Sequence, residues 1–476
     1  MTRTGAAELV LPLALAQFVA SYAATNMNVA ISTIASDIGT TVIGIQTTIT
    51  LFTLTMASLM IPGSKLTDIW GRKVCFIGGL AVYGVGAVLA SQAGGLGLMI
   101  LGYSLLEGIG SALLIPPIYI LITVSFDDIG TRARNFGVVS GAAGLGAAAG
   151  PLIGGLVTSF VSWRASFLLQ ALVVLSIVVL ARHLADPPRP EPPPRFDLLG
   201  AVLSAAGLFL VVFGILRTGT YGWFVARTDF TVAGTVIIPA GGPSPVWIYI
   251  GIGVAVLALL VAHLRARERA GRDPLFSVTL FRDRTTCLGL TTQHLQWLVL
   301  QGSFFVISVF LQQVRGFDAI GTGLMLLPAT VGILLSSAAA ERLARRHSQR
   351  RLVRGGFVTT IAGMALLLAL VRDDSGVLTF VPGLFLTGAG IGIMLTASVN
   401  VVQSNSPAEL QGDISGLSRS VSNLGSSMGT ALAGSVLVGA AHPGGGPFAL
   451  ALGVLGVVAV VGLVAAILLP RPAARD

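Results

Sequence analysis

Long apolar runs separated by short polar gaps limit this chain's fold more than any other feature. A helix needs about 20 mostly apolar residues to cross a bilayer. Fourteen stretches reach that length, near 10–34, 42–62, 74–93, 97–124, 134–160, 164–183, 198–216, 247–263, 285–313, 319–339, 352–371, 377–403, 414–440 and 447–469. Only 10% of the 476 residues are charged and 54% are hydrophobic, too few charges to cover a water-soluble surface of this size. The expected fold class is therefore an all-α polytopic membrane protein with fourteen transmembrane helices. The net charge of +9 does not imply nucleic acid, because the basic residues fall in the gaps, where topology signals sit. Arg exceeds Lys, and Ala and Gly abound, a composition that suggests a GC-rich bacterial genome. Cys75 and Cys287 lie in apolar surroundings and offer neither a disulfide framework nor a metal spacing.

The basic residues orient the chain. With the N-terminus in the cytoplasm, that side receives Arg3, Lys65, Arg72, Lys73, Arg132, Arg134, Arg182, Arg189, Arg195, the clusters Arg265–Arg284 and Arg342–Arg354, and Arg471 and Arg475. The opposite side receives only Arg164, Arg217, Arg227, Arg315 and Arg372. This bias places both termini in the cytoplasm. The first apolar run resembles a signal peptide but continues to Ile34, long enough to span, so cleavage is not expected. "DPPRPEPPPRFD" (Asp186–Asp197) reads as a stiff linker. Arg217–Val246 reads as an external loop whose "FTVAGTVII" is able to pair as a hairpin.

The chain also repeats itself. "LGAAAGPLIGG" (Leu145–Gly155) aligns with "LGSSMGTALAG" (Leu424–Gly434) at an offset of 279, and "LEGIGSALL" (Leu106–Leu114) aligns with "LTGAGIGIM" (Leu386–Met394) at 280. "GSKLTDIWGRK" (Gly63–Lys73) faces "AERLARRHSQR" (Ala340–Arg350) more weakly at 277. The expected layout is a six-helix bundle over 1–183, a connecting region over 184–284 with inserted helices near 198–216 and 247–263 and the loop 217–246, and a second six-helix bundle over 285–476. Parallel six-helix repeats with a site at their interface are a transporter design.

This architecture and three motifs resemble the major facilitator superfamily, in particular its fourteen-helix drug:proton antiporter branch. The first motif is the loop carrying Leu66, Asp68, Gly71, Arg72 and Lys73, where Ser64 and Ile69 depart from the family pattern. Asp68 is able to latch a helix start or a nearby Arg, Gly71 allows a tight turn, and Arg72 and Lys73 can reach anionic headgroups. The second is the antiporter motif in the fifth helix, matched in full at Gly146, Gly150, Pro151, Gly154 and Gly155. Its small residues allow close helix approach, and its proline bends the helix. The third is the fourth-helix pattern, matched at Gly108 and Gly110, with Glu107 in place of Gln and Ser104 in place of Arg. The first helix departs too: "YAATNMNVA" (Tyr22–Ala30) has Ala23 where relatives carry an acid.

Glu107 is the one acid deep within an apolar stretch. A charge at the bilayer centre costs about 2.5–3.5 kcal/mol on insertion scales, and burial favours the neutral form of a carboxyl. Two readings stand: a proton-coupling group, or a protonated acid making a structural hydrogen bond. His294, among the polar residues of "TTQHLQW" (Thr291–Trp297), reads as a second titrating group or as a packing histidine. Gln17, Tyr22, Asn26, Asn28, Gln46, Gln293, Gln296, Asn400, Gln403 and Asn423 are candidates for the walls of a substrate cavity. A mostly apolar cavity with one acid suits lipophilic or cationic compounds. No phosphate-binding loop, catalytic triad or metal cluster is apparent, so neither ATP drive nor enzyme activity is expected.

The resemblance implies a multi-pass secondary transporter of a bacterial cytoplasmic membrane that exports drugs or antibiotics by proton antiport. It implies no cofactor beyond the proton. The expected partners are a small-molecule substrate and the lipid bilayer, with no nucleic acid, and the expected state is a monomer. The alternatives are a proton-independent or lipid-type exporter, motivated by Ala23 and Ser104, and a non-transporting membrane sensor.

Overall fold

A computed structural model describes residues 3–126, 129–184, 195–232, 235–344, 346–372, 375–404, 410–438 and 445–470. The first half comprises α1 (Arg3–Asn26), α2 (Ile31–Asp37), α3 (Val42–Trp70), α4 (Arg72–Ser91), α5 (Leu96–Met99), α6 (Gly108–Ser125), α7 (Ile129–Phe160) and α8 (Trp163–Ala181). A π-helical segment, Ile100–Glu107, joins α5 to α6. The connecting region supplies α9 (Leu198–Tyr221) and α10 (Val246–Arg269). The second half comprises α11 (Arg284–Val309), α12 (Ala319–Met325), α13 (Leu327–Ala344), α14 (Gln349–Leu370), α15 (Val381–Ser404), α16 (Gln411–Val438) and α17 (Gly445–Leu468).

Among the described residues, eleven helices are long and apolar enough to cross a membrane, and up to thirteen if each of two bent pairs counts as one span. One bent pair lies within α7 and the other is α12–α13. The remaining long helix, α16, carries Asp413 and Arg419 in its first turns. The protein is thus an all-helical, multi-pass membrane protein. Large apolar side chains stay exposed along α8 and α17, among them Leu172, Leu175, Val457 and Val461, as lipid-facing surfaces require.

The bend in α7 has a local cause. Its two parts, Gly141–Ala147 and Ala149–Phe160, differ in direction by 41°. Pro151 has no amide hydrogen to give the Ala147 carbonyl, and its ring crowds that carbonyl. Thr25 Oγ1, on α1, donates to the Ala147 oxygen instead (3.1 Å). The freed carbonyl is thereby satisfied where water is scarce.

The connecting region is knitted together around a buried carboxylate. Asp197 caps α9 through the Gly200 amide (3.0 Å), accepts from the Leu275 amide (3.2 Å) and meets His263 (2.9 Å). Arg267 stands 3.6 Å from its other oxygen. Beside this group an apolar cluster joins Leu264, Leu275, Phe276 and Leu280 to Ile414 and Leu417 of α16. The inserted pair therefore packs on the main bundle, with α9 against both α3 and α16. α9 outruns its expected apolar stretch at the C-terminal end, and α10 does so at both ends. Between them, β1 (Phe230–Val232) pairs antiparallel with β2 (Thr235–Ile238).

At the end of the molecule that holds this hairpin, Arg164 pairs with Asp37, and Trp163 Nε1 donates to the same carboxylate oxygen (2.9 Å). The Arg164 bond, then the Trp163 bond, hold the Asp37 carboxyl below the usual carboxylate range. A depressed folded-state value adds stability above the unfolded value and loses it as pH falls through the folded one. Asp37→Asn is therefore expected to lower stability by about 0.2–1 kcal/mol at neutral pH, the range for exposed pairs. In thermal melts the gap from wild type should hold from about pH 5 upward and close as the carboxyl protonates in more acidic buffer.

Candidate functional site

The sequence-derived site residues fall into three groups. The first surrounds Glu107, which closes the π-helical segment and is fully buried. A π turn inside a helix is an uncommon widening, often found at functional positions. The Tyr83 hydroxyl, from α4, lies beside the carboxyl. It gives its proton to Gln170 Oε1 of α8 (2.6 Å), and neither carboxyl oxygen receives a hydrogen bond. Gln170 Nε2 donates to the Ser166 carbonyl (3.3 Å). Ser166 Oγ in turn meets the Tyr22 hydroxyl (2.7 Å) and accepts from Asn26 Nδ2 (3.0 Å). Tyr103 donates to the Ala23 carbonyl (3.0 Å), and Ser104 to that of Thr48 (2.8 Å). Tyr22 and Asn26 thus join Glu107's surroundings inside the first half. No basic side chain is paired with Glu107 among the described residues.

The second group is the seam between the halves. Gly146, Gly150 and Gly154 of α7 press against α1, where an added Cβ would sit 3.1 Å or less from Ser21, Thr25 or Asn26 atoms. Gly155 faces the other half, and a Cβ there would lie 2.7 Å from the Ala319 carbonyl oxygen. The Pro151 carbonyl lies against Gly323 of α12. Further along the seam, Ile320 N donates to Ser159 Oγ (2.9 Å) and Ser32 N to Gln312 Oε1 (3.0 Å). Gln312 Nε2 donates to the Asn28 carbonyl (3.0 Å), while the Asn28 side chain is buried without a hydrogen bond. Across a second seam, formed by α3 and α16, Gln46 Nε2 donates to the Thr430 carbonyl (3.1 Å), Ser427 to that of Thr50 (3.0 Å) and Ser420 to that of Ala57.

The third group lies where the seams meet the basic end. Gly71 takes φ +102° between α3 and α4, a backbone region that favours glycine. The Asp68 side chain lies outside the described residues. Arg72 begins α4, half-buried. Lys73 Nζ donates to the Arg182 carbonyl (2.7 Å) at the end of α8. Lys65 of α3 pairs with Asp413 of α16 across the halves (3.3 Å). Asp413 also accepts from the Ser277 amide (3.0 Å), tying the connecting segment to the same point.

Nearby, a cleft between the halves is lined by Tyr119, Trp297, Val399, Gln403, Ser415 and Arg419, among others, and holds about 40 Å³. Arg419 of α16 donates to the Tyr119 hydroxyl, whose proton goes to Gln17 Oε1 (3.4 Å). Of the expected cavity residues, Gln403 lines this cleft and Gln17 is bonded to its Tyr119. The others lie elsewhere. Gln293 accepts from Ser418 (2.9 Å) within the second half. Gln296, oriented by its partners, donates to the Met394 carbonyl (3.2 Å) and Ser398 Oγ (3.0 Å). His294 Nδ1 is 3.2 Å from the Val421 carbonyl oxygen, at the crossing of α11 and α16. Asn423 is half-buried, and Asn400 is exposed. Glu107 does not line the cleft. It lies 12 residues from Tyr119 along α6, about 18 Å at 1.5 Å per residue.

The match to a family model decides the family. The model for the Major Facilitator Superfamily covers residues 13–430. The chain belongs to the major facilitator superfamily. It is 28% identical to a probable actinorhodin transporter of Streptomyces coelicolor over 87% of this chain and 69% of that one. It is 29% identical to puromycin resistance protein pur8 of Streptomyces alboniger, over 87% and 78%. With the multidrug resistance protein Stp of Mycobacterium tuberculosis it shares 26% identity over 83% and 69%. These relatives are named as antibiotic or multidrug transport and resistance proteins, which points to a transporter rather than an enzyme.

Arg419, Tyr119, Tyr83 and Gln170 were not among the sequence-derived candidates. A search for intramembrane charge confined to acids and histidines passes over Arg419, although "RSVSNLGSSMG" begins with it. Tyr83 and Gln170 stand alone in apolar runs, and only the fold brings them to Glu107.

Proposed function

We propose that this superfamily member exports small lipophilic organic compounds across a bacterial cytoplasmic membrane in exchange for protons, by alternating access. The observation that carries the antiport reading is Glu107: a buried carboxyl with no basic partner among the described residues, beside a tyrosine oxygen able to accept its hydrogen bond. The transporter and resistance names of the relatives support the export direction. The two seams supply the moving parts, since both are small-residue contacts closed by few hydrogen bonds and one ion pair.

The reading includes fourteen spans, with α16 counted despite its polar first turns. It also includes two six-helix repeats joined by the α9–α10 pair. Matching contacts support the repeat. Gly110 crosses α4 at Gly79 and Tyr83, and Gly390 crosses α14 at Gly356 and Thr360. Gly146 abuts Phe18 of α1, and Gly425 abuts His294 of α11. In this reading the basic end faces the cytoplasm, with both termini.

The test is uptake of puromycin into inside-out proteoliposomes with an acidic lumen. Accumulation above the level reached without a gradient is expected. Equal uptake with and without the gradient would favour uncoupled export. No uptake of puromycin, actinorhodin or a lipid probe would favour a sensor.

A further inference from the structure

Among the described residues, the cleft between the halves is lined by a cation, Arg419, and by no anion. Arg419 pairs with no carboxylate among the described residues. Its guanidinium lies 5.1 Å from the centre of the Tyr119 ring and donates to that ring's hydroxyl. The Tyr119 proton is already committed to Gln17. A guanidinium has five donors in a planar fork suited to two parallel bonds with a carboxylate or another flat oxyanion. One neutral phenol oxygen leaves most of that capacity unused. Holding an uncompensated cation within a membrane protein is costly, and such residues mark substrate pathways. The remaining walls combine the Trp297 and Tyr119 rings with Gln403 and Ser415. Aromatic faces recognise flat rings by stacking.

We infer that, in the export reading given above, this cleft selects planar aromatic compounds bearing a negative charge, with Arg419 as the charge-selecting residue. The cationic class expected from an acid in the cavity does not fit, because Glu107 lies at another depth and off the cleft. At about 40 Å³ the cleft has room for no more than a few waters, so this conformation is too narrow for substrate. The Tyr119 hydroxyl then occupies the place of the substrate's anionic group. Opening the seam breaks the Arg419–Tyr119 contact and frees the guanidinium. Proton and substrate bind apart, so they are coupled through the helices between them rather than by competition for one carboxyl. An anion leaving as a proton enters also moves two charges down the membrane potential.

The test compares two dyes that share a xanthene ring, fluorescein (anionic at neutral pH) and rhodamine 6G (cationic). Binding to the detergent-purified full chain is read by fluorescence anisotropy. Wild type is expected to prefer fluorescein. The fluorescein to rhodamine 6G affinity ratio should fall at least tenfold in Arg419→Gln and recover in part in Arg419→Lys. In Tyr119→Phe, which removes the competing oxygen, it should stay level or rise. Equal losses for both dyes would make Arg419 a gate contact and overturn the inference. So would a wild-type preference for rhodamine 6G, or binding of neither dye. Arg419-dependent fluorescein binding without gradient-driven uptake would instead sink the export reading and leave the selectivity inference standing.

Discussion

Glu107→Gln is expected to uncouple transport without unfolding the protein. Glutamine keeps the shape of the side chain and gives up the exchangeable acid. Its amide can still donate to the Tyr83 oxygen, while Tyr83 continues to donate to Gln170. The first half should therefore keep its packing, read as an unchanged melting temperature. Exchange of one proton for a neutral compound draws about 2.3 kcal/mol from each 100 mV of potential. That supports an accumulation ratio of about 50-fold, at 1.4 kcal/mol per factor of ten. The variant should lose this factor and equilibrate substrate at the unenergised level, while exchange of labelled for unlabelled substrate across the membrane persists. Wild-type accumulation in Glu107→Gln would remove Glu107 from the coupling path and leave it a structural role. Parallel loss of accumulation and exchange would instead point to a folding or gating defect.

The sequence was most readable where lipid imposes the pattern. Apolar runs and basic gaps marked nearly every helix, because a bilayer leaves the backbone few other solutions. α16 escapes the hydropathy test for a related reason. It is packed between α3, α9 and α11, so its serines, Asp413 and Arg419 face protein and not lipid. The glycines of α7 were readable as a close-packed seam, but which neighbour each one meets was not. Gly150 abuts α1 in the same half, and Gly155 abuts α12 in the other. Side-chain environment was the least readable layer. Glu107 stood out as a cost, yet whether it faced the cavity depended on the rotation of α6, which a uniformly apolar helix does not reveal. Polar residues scattered through the spans suggested one aqueous path. Several of them, Tyr22, Asn26, Gln293 and Gln296 among them, form hydrogen bonds within a half, because a polar group in a membrane takes the nearest partner.

Gly150→Val is expected to be strongly disruptive. A Cβ at this position would lie 3.0 Å from Thr25 Cβ and 3.1 Å from the Asn26 amide nitrogen. Both atoms belong to α1. The obstacle is partly backbone, so no rotamer change relieves it. Overpacking typically costs about 1–3 kcal/mol. Here a second loss adds to it, since separating α1 from α7 stretches the Thr25 bond to Ala147. That bond satisfies the carbonyl freed by Pro151, and an unpaired buried polar group costs about 1–3 kcal/mol more. The combined effect should be seen as reduced folded yield in detergent and transport below detection. Gly150→Ala, with the same first carbon and no branch, should fall between wild type and valine. Gly141→Ala provides the control, because a Cβ there meets nothing within 4 Å and alanine is the better helix former. If Gly141→Ala and Gly150→Ala lose activity equally, the effect belongs to glycine's flexibility along the helix and not to the α1–α7 contact. If only Gly150→Ala and Gly150→Val lose it, close approach is what the motif provides, and the bend at Ala147 is held from α1 as well as by Pro151.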